Sequence, residues 1–354
     1  MRILFTFAGG AGHLTPLLPL AAAAKERGHD VALAGKPSVV ALGESYTTFG
    51  TGVENDAART ERALLAPVDR GHEERVLRNA FGGEIARRRT AELTQVAERW
   101  RPGLFVCDET DFGGTTVADA LGLPHATMLV NASGSFVRPE LLHGVFDVSL
   151  LTRYLVLNPF PRSFRAFPLP PATVDVRLSE PRPRRVVDRP RIYFSLGTIF
   201  DLESGDLFER VIAALGRLPV DAVATVGRRL DPGVLGTIPS NVLIEGFVAQ
   251  DEVLPSCDLV VCHGGSGSLL GAFSHGLPVV VLPLGADQPW NADRCEATGV
   301  GVVVDAASSS DVISDAIEHT LATPSYRDVA ETFASELRTF GTPAQAVEAL
   351  ERLA

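Results

Sequence analysis

Short apolar runs recur along the chain, each ending in glycine or small polar residues and most followed by apolar positions at helical spacing. Arg2 to Ala8 predicts a buried strand that ends in Gly9-Gly10-Ala11-Gly12-His13. Leu17, Leu18, Leu20, Ala21 and Ala24 then predict a helix closed by Gly28, and Val31 to Ala34 the next strand. Strand, glycine turn, helix, strand is how a doubly wound parallel sheet begins. Further on, the pattern predicts two helices between Glu61 and Trp100, a strand from Leu104 to Cys107 ending at Asp108, a helix near Thr115 to Leu121, and a strand from His125 to Val130. Phe136 to Pro171 is aromatic and apolar with weak periodicity, and supports no assignment.

The pattern breaks between Phe167 and Arg191, which is rich in proline and arginine and has the composition of an interdomain linker. Alternation then restarts. Ile192 to Ser195 predicts a strand, Leu196-Gly197-Thr198 a turn and Ser204 to Leu215 a helix. Strands follow at Ala222 to Val226, Val242 to Phe247, Leu259 to Cys262, Val279 to Leu282 and Val300 to Val304, with a helix from Leu269 to His275 and more helix from Ser309 to Leu353. The expected fold class is α/β, with two Rossmann-like α/β/α domains facing a cleft. The expected boundaries are 1–180, 181–335 and a closing helix at 336–354.

Composition narrows the function. With 32 basic against 43 acidic residues the formal charge of the 354-residue chain is −11, which argues against bulk binding to nucleic acid or to an anionic membrane. The N-terminus starts a strand directly and no run reaches the roughly 18 apolar residues of a membrane span, so a cytoplasmic protein with no integral membrane segment is expected. Cys107, Cys257, Cys262 and Cys295 show no C-x-x-C spacing and read as reduced core thiols. The first glycine turn is not a dinucleotide fingerprint: it has no third glycine in register, and the second strand ends in Ala34-Gly35-Lys36 with no acid for a ribose. Arg87, Arg88 and Arg89 read as a solvated helix face.

Candidate chemistry gathers where strands end. His13 follows the first strand, and an imidazole there suits a general base because it titrates near working pH. Asp108 ends another strand of the same sheet and is placed to orient that ring, with Asp111 as its substitute and Glu109 as the weakest candidate. In the second half, Gly265, Ser266, Gly267 and Ser268 open a helix and offer N–H groups and hydroxyls to phosphate, with Ser195 and Thr198 at a neighbouring turn and His263 able to donate to a leaving phosphate. Asp287 and Gln288 carry donors and acceptors that suit sugar hydroxyls. No G-x-S-x-G elbow, Walker lysine, H-E-x-x-H or Asp-x-Asp pair is present, so a nucleophilic serine and a carboxylate-held metal both lack residues.

In order along the chain, AGGAGHLTPLLPLA with His13, strand-end Asp108, FSLGT (Phe194 to Thr198), GFVAQDEVLP (Gly246 to Pro255), HGGSGSLLGAFSHGLPVVVLP (His263 to Pro283) and ADQPWNA (Ala286 to Ala292) resemble the nucleotide-sugar-dependent glycosyltransferases of the GT-B fold, family 1. The resemblance is to the macrolide and antibiotic glycosyltransferases of actinobacteria. It implies His13 as the base on an acceptor hydroxyl, with Asp108 as its partner. It also implies an N-terminal acceptor domain walled in part by Phe136, Phe146 and Phe160, and a C-terminal nucleotide-sugar domain. There Phe247 and Val248 would lie against the base, His263 and Gly265 to Ser268 at the diphosphate, and Asp287 and Gln288 at the sugar. The implied reaction is inverting and needs neither metal nor cofactor, with a dTDP-sugar favoured over a UDP-sugar as co-substrate and a hydrophobic natural product as acceptor. The final helix would cross back to the first domain. Phe247 stands where plant relatives place a tryptophan, and the chain is short for the family, which implies trimmed acceptor loops.

Two other readings stand beside this one. A nucleotide-sugar 2-epimerase or isomerase of the same fold would use the phosphate site but leave the aromatic segment without purpose. A catalytically silent transferase partner would need neither His13 nor Asp108. A homodimer stays among the states the sequence leaves open.

Overall fold

The computed structural model describes residues 1–52, 63–185, 187–197, 202–227 and 230–354. Two compact units form, one from Met1–Asp56, Gly71–Ser179 and Thr339–Ala354, the other from Ala57–Arg70 and Glu180–Arg338.

The first unit is built on strands β1 (Arg2–Thr6), β2 (Asp30–Gly35), β3 (Thr47–Gly50), β4 (Leu104–Asp108), β5 (His125–Met128), β6 (Leu155–Asn158) and β7 (Thr173–Asp175). They pair in parallel in the order β3-β2-β1-β4-β5-β6-β7. The central strands read as unbroken apolar runs because helices cover both faces. On one face Ile3, Phe5, Leu33 and Val106 pack against Leu17, Leu20, Val347 and Leu350; on the other Leu4, Ala32, Phe105 and Cys107 meet Leu93, Val96, Val117 and Ala118. Alternate side chains of one strand thus serve two cores.

The second unit holds β8 (Arg191–Ser195), β9 (Asp221–Thr225), β10 (Val242–Glu245), β11 (Leu259–Cys262), β12 (Val279–Val281) and β13 (Gly301–Val303), parallel in the order β10-β9-β8-β11-β12-β13. Ile192, Phe194, Ala224, Leu259 and Val261 pack against Val211, Leu215, Ile313 and Ile317 of the helices Leu207–Arg217 and Ser310–Ala322. Both sheets follow the doubly wound order, in which the strand sequence reverses between the first and fourth strands.

Several sequence expectations change. Helix begins at Ala11, two residues before His13, and continues with a 3-10 turn to Glu26. In place of two helices up to Trp100, one helical stretch starts at Arg70 and runs through a π-helical segment, Val76–Ile85, into the helix Ala86–Trp100. The proline-rich stretch contributes β7, so its first half is a sheet edge rather than a linker, and its second half is pinned by Arg185 N–H to Pro255 O at 2.7 Å. The helix predicted from Leu269 begins at Ser266. All four cysteines are free and buried. Among the described residues no helix is long and apolar enough to cross a membrane.

The last helix, Pro343–Glu351, belongs to the first unit. Thr342 and Gln345 cap it reciprocally and it packs on the helix Leu18–Glu26. Just before it, Gly341 O accepts the Arg177 N–H at 2.8 Å beside β7.

Candidate active site

Where the strand order reverses, the loops leaving β1 and β4 turn to opposite sides and open a crevice at the strands' carboxyl ends. The chain after β1 turns through Gly9 and Gly10 into the helix Ala11–Leu14, which places His13 in the first helical turn with its backbone N–H on Gly10 O at 3.0 Å. A side chain on Gly9 would run into Cδ2 and Nε2 of His13, so only glycine fits against that edge of the ring. The His13 Nδ1 lies 3.3 Å from Asp108 Oδ1.

Asp108 is fully buried at the end of β4. Its Oδ2 accepts the Ala8 N–H at 2.7 Å, and its Oδ1 accepts both the N–H and the hydroxyl of Thr110 at 2.6 Å each. Burial alone pushes this carboxyl up, and His13, Thr110 and Ala8 together bring it below its ordinary value. Asp108 is therefore a carboxylate held in place against an imidazole.

The neighbouring acids go elsewhere. Asp111 caps the helix Phe112–Ala120 through the Gly114 N–H and takes both arms of Arg89 at 2.6 Å. Arg89 is buried and not the solvated residue expected; it also donates to Thr51 Oγ1 at 2.8 Å, while Arg87 and Arg88 are exposed. With its carboxylate so engaged, Asp111 does not substitute for Asp108. Glu109 accepts from the N–H groups of Val130 and Asn131 and from the Asn131 amide; burial pushes it up, with Arg165 opposing.

Of the three phenylalanines expected to wall an acceptor, Phe146 is half-buried, stacks on Phe112 at 4.4 Å and borders a cavity of about 820 Å³ with Pro139, Val148 and Thr152. Phe136 is 8% exposed and Phe160 is 2% exposed. Asn158 bonds both backbone groups of Phe160, so that ring is a packing residue and not an open wall.

In the second unit the reversal lies between β8 and β11. Ser195 ends β8, and its hydroxyl accepts the Gly197 N–H at 3.2 Å; Thr198 lies outside the described residues. Gly197 has φ +74°, and a side chain there would sit 2.8 Å from the ring of His263. His263, at the end of β11, is buried, and burial pushes its pKa down to about 4 against an opposing bond with the Ser195 backbone. The ring is therefore neutral near pH 7 and able to donate a hydrogen bond. Gly265 caps the helix Ser266–Ser274 with no side-chain cap hydrogen bond, so the positive end of the helix dipole lies at this switch point. Gly267 is exposed, while Ser266 and Ser268 are nearly buried.

The sugar residues are more constrained than expected. Asp287 follows Ala286, a non-glycine held at φ +52°. The Asp287 Oδ2 accepts from Ser266 Oγ at 2.6 Å and from the Asn291 amide at 2.8 Å, so the Ser266 hydroxyl serves the carboxylate. Gln288 is 2% exposed, and its carbonyl accepts the N–H groups of Leu284 and Gly285 at 2.8 and 3.2 Å. Its carbonyl thus shapes the turn after β12. Phe247, after β10, is exposed, and Val248 beside it is half-buried.

Sequence reasoning missed Thr110, Gly9, Asn291 and Arg70. Arg70 grips Asp293 with both arms at 2.7 and 2.6 Å and lies 5.4 Å over the Trp290 ring, bracing the helix Gln288–Thr298. Asn291 was findable, since it follows Asp287 by one helical turn; Arg70 had no local signal.

Residues 209–353 match the family model for the C-terminal domain of erythromycin biosynthesis protein CIII-like proteins. The elloramycin glycosyltransferase ElmGT of Streptomyces olivaceus is 31% identical over 97% of this chain and 95% of its own. Tylactone mycaminosyltransferase of Streptomyces fradiae is 28% identical over 100% of this chain and 92% of its own. The glycosyltransferase SsfS6 from Streptomyces sp. SF2575, solved with thymidine diphosphate, superposes with a TM-score of 0.77 at 25% identity, covering 99% of each chain. A doubly wound order in both units, a histidine and a carboxylate at one switch point, an uncapped helix start at the other and a full-length relative above 30% identity agree, and the chain belongs to the GT-B glycosyltransferases of macrolide and antibiotic biosynthesis.

Proposed function

We propose that this enzyme moves a deoxysugar from a dTDP-sugar to a hydroxyl of a hydrophobic natural product, inverting the anomeric carbon and using no metal. The pairing of His13 with buried Asp108 at 3.3 Å carries the reading. A carboxylate on Nδ1 leaves Nε2 to take the acceptor proton as its oxygen attacks the anomeric carbon, one displacement and hence one inversion. The leaving diphosphate would be received by the N–H groups of Ser266, Gly267 and Ser268 and by neutral His263, positive dipoles that do without a cation. The engaged oxygens of Asp287 and Gln288 favour a sugar with few hydroxyls. Thymidine diphosphate in SsfS6, and a tylactone acceptor in the name of one relative, support the donor and the acceptor class.

The test incubates the protein with dTDP- and UDP-sugars and a panel of hydroxylated macrolide and anthracycline aglycones, with EDTA present, and reads product anomers by NMR. Inverted product from dTDP donors is expected. The His13→Ala change should lower turnover by roughly 10²–10⁴-fold with dTDP binding nearly intact. Retained configuration, or isomerisation of the donor without acceptor, would overturn the proposal.

A further inference from the structure

We infer that Val145 and Phe146 form a partition that sets how large an acceptor the first unit takes, with Phe146 deciding between a flat polycyclic acceptor and a bulkier macrocycle. This rests on the reading of the protein as a transferase to a hydrophobic acceptor, and it names what limits that acceptor's size.

Two cavities lie within this unit. One, of about 820 Å³, is bounded by Pro139, Val148 and Thr152; the other, of about 340 Å³, by Gly82, Gly83, Thr90 and Thr116. Val145 and Phe146 line both and so stand between them. Phe112 ties the partition to the carboxyl end of the sheet. It opens the helix Phe112–Ala120 four residues after Asp108, so at most about 14 Å of backbone separates the two. Phe146 stacks on Phe112 at 4.4 Å. A multi-ring acceptor with its hydroxyl at His13 would lay its far rings against this wall.

Both cavities suit an apolar guest. The hydroxyls that line them are spent inside the protein: Ser149 on Asp147 Oδ1 at 2.7 Å, Thr152 on Ser149 O at 3.3 Å, Thr90 on Ala86 O at 2.8 Å and Thr116 on Phe112 O at 2.7 Å. Arg87, His143 and Asp147 are exposed and keep their water. Pro139, Val145, Phe146, Val148 and the bare backbone of Gly82 and Gly83 are left to meet a guest. Shape and stacking then select, not hydrogen bonds.

The partition is also held firmly. Gly82 belongs to the π-helical segment Val76–Ile85, and a Cβ on it would come 3.2 Å from Leu142 and 3.3 Å from Val145, so glycine lets the segments touch. From the same segment Arg78 donates to Leu141 O and His143 O at 2.8 Å each. Val145 and Phe146 both send their N–H to Leu142 O, at 3.0 and 3.1 Å. A wall fixed in this way discriminates by size because it does not yield to a larger guest.

The experiment uses the whole chain without donor. An anthracyclinone is titrated by its own fluorescence, and a macrolactone by displacement of the anthracyclinone. Phe146→Ala joins the cavities and should raise macrolactone affinity relative to the anthracyclinone's by roughly tenfold, through added room for one and lost stacking for the other. Adding Thr116→Leu, which refills the opened space from its far wall, should return the ratio to the wild-type value; Thr116→Leu alone should leave it unchanged. If Phe146→Ala does not fold, Phe146→Leu decides, with a smaller shift in the same direction. A wild-type protein that binds neither probe, an unmoved ratio in the folded variant, or a double variant that keeps the shifted ratio overturns the inference. Binding needs no sugar, so size selection can be read even if nothing is transferred. A transferase whose acceptor ratio ignores Phe146 loses this inference alone.

Discussion

Arg89 and Asp111 meet across two 2.6 Å hydrogen bonds in the interior of the first unit, and this pairing is what assigns Asp108, not Asp111, to His13. Breaking such a pair strands a buried charge. Arg89→Met or Asp111→Asn should each cost about 3–5 kcal/mol in urea unfolding. Asp108→Asn should instead approach the turnover defect of His13→Ala at a smaller cost in stability. An Asp111→Asn protein of full stability that had lost turnover would reverse the assignment.

Two glycines three residues apart give a sharper contrast. At Gly9 an added methyl collides with the imidazole of His13, whereas at Gly12 nothing lies within 4 Å. Gly9→Ala should fold and bind dTDP but lose most turnover. Gly12→Ala, inside the helix Ala11–Leu14, should keep turnover and gain stability of about 0.5–1 kcal/mol. Equal activity in the two variants would mean that the ring moves freely.

His263 makes stability depend on mild acid. Its folded pKa of about 4 lies below the roughly 6.5 of an unfolded imidazole, so the unfolded chain takes up the proton first. The contribution is complete above pH ~6.5 and is lost as pH falls toward ~4, on the order of 3 kcal/mol. Urea midpoints followed through that window should slope, and His263→Gln should flatten the slope. For the same reason, dTDP binding near pH 6 should take up protons in calorimetry, because an added diphosphate favours the charged ring.

A second acid response belongs to the last helix. Hydrogen bonds from Arg27 and His29 pull Glu351 down to about 2, so its stabilising effect is present above the ordinary carboxylate range, near pH ~4.3, and fades as pH drops toward ~2. Thermal unfolding of Glu351→Gln should differ from wild type at pH 6 and converge with it at pH 2. A constant difference across that range would remove Glu351 as the cause.

What was legible in the chain followed from the physics of each segment. Central strands announced themselves because a sheet covered on both faces needs apolar runs. The edge strands β3 and β7 carry partly exposed residues, and β6 is four residues long within an aromatic stretch, so none left a period to read. Arg89 reads as solvated only because its neighbours in the triplet are. It stands four, seven and eight residues before Leu93, Val96 and Ala97, squarely on the buried stripe of its helix, and that spacing is the better guide. The site residues at strand ends were found because strand ends host ligands in this topology. Thr110 and Asn291 were missed because they act on other side chains, and only geometry shows that.

The chain returns to its first unit only at Thr339, after all of Glu180–Arg338 has gone into the second. That order matters during synthesis. The core around Leu17 and Leu20 cannot close until Val347 and Leu350 of the helix Pro343–Glu351, which follow the whole of the second unit in the chain, have been made. The unit that holds His13 is thus completed only after the chain of the second has been synthesised.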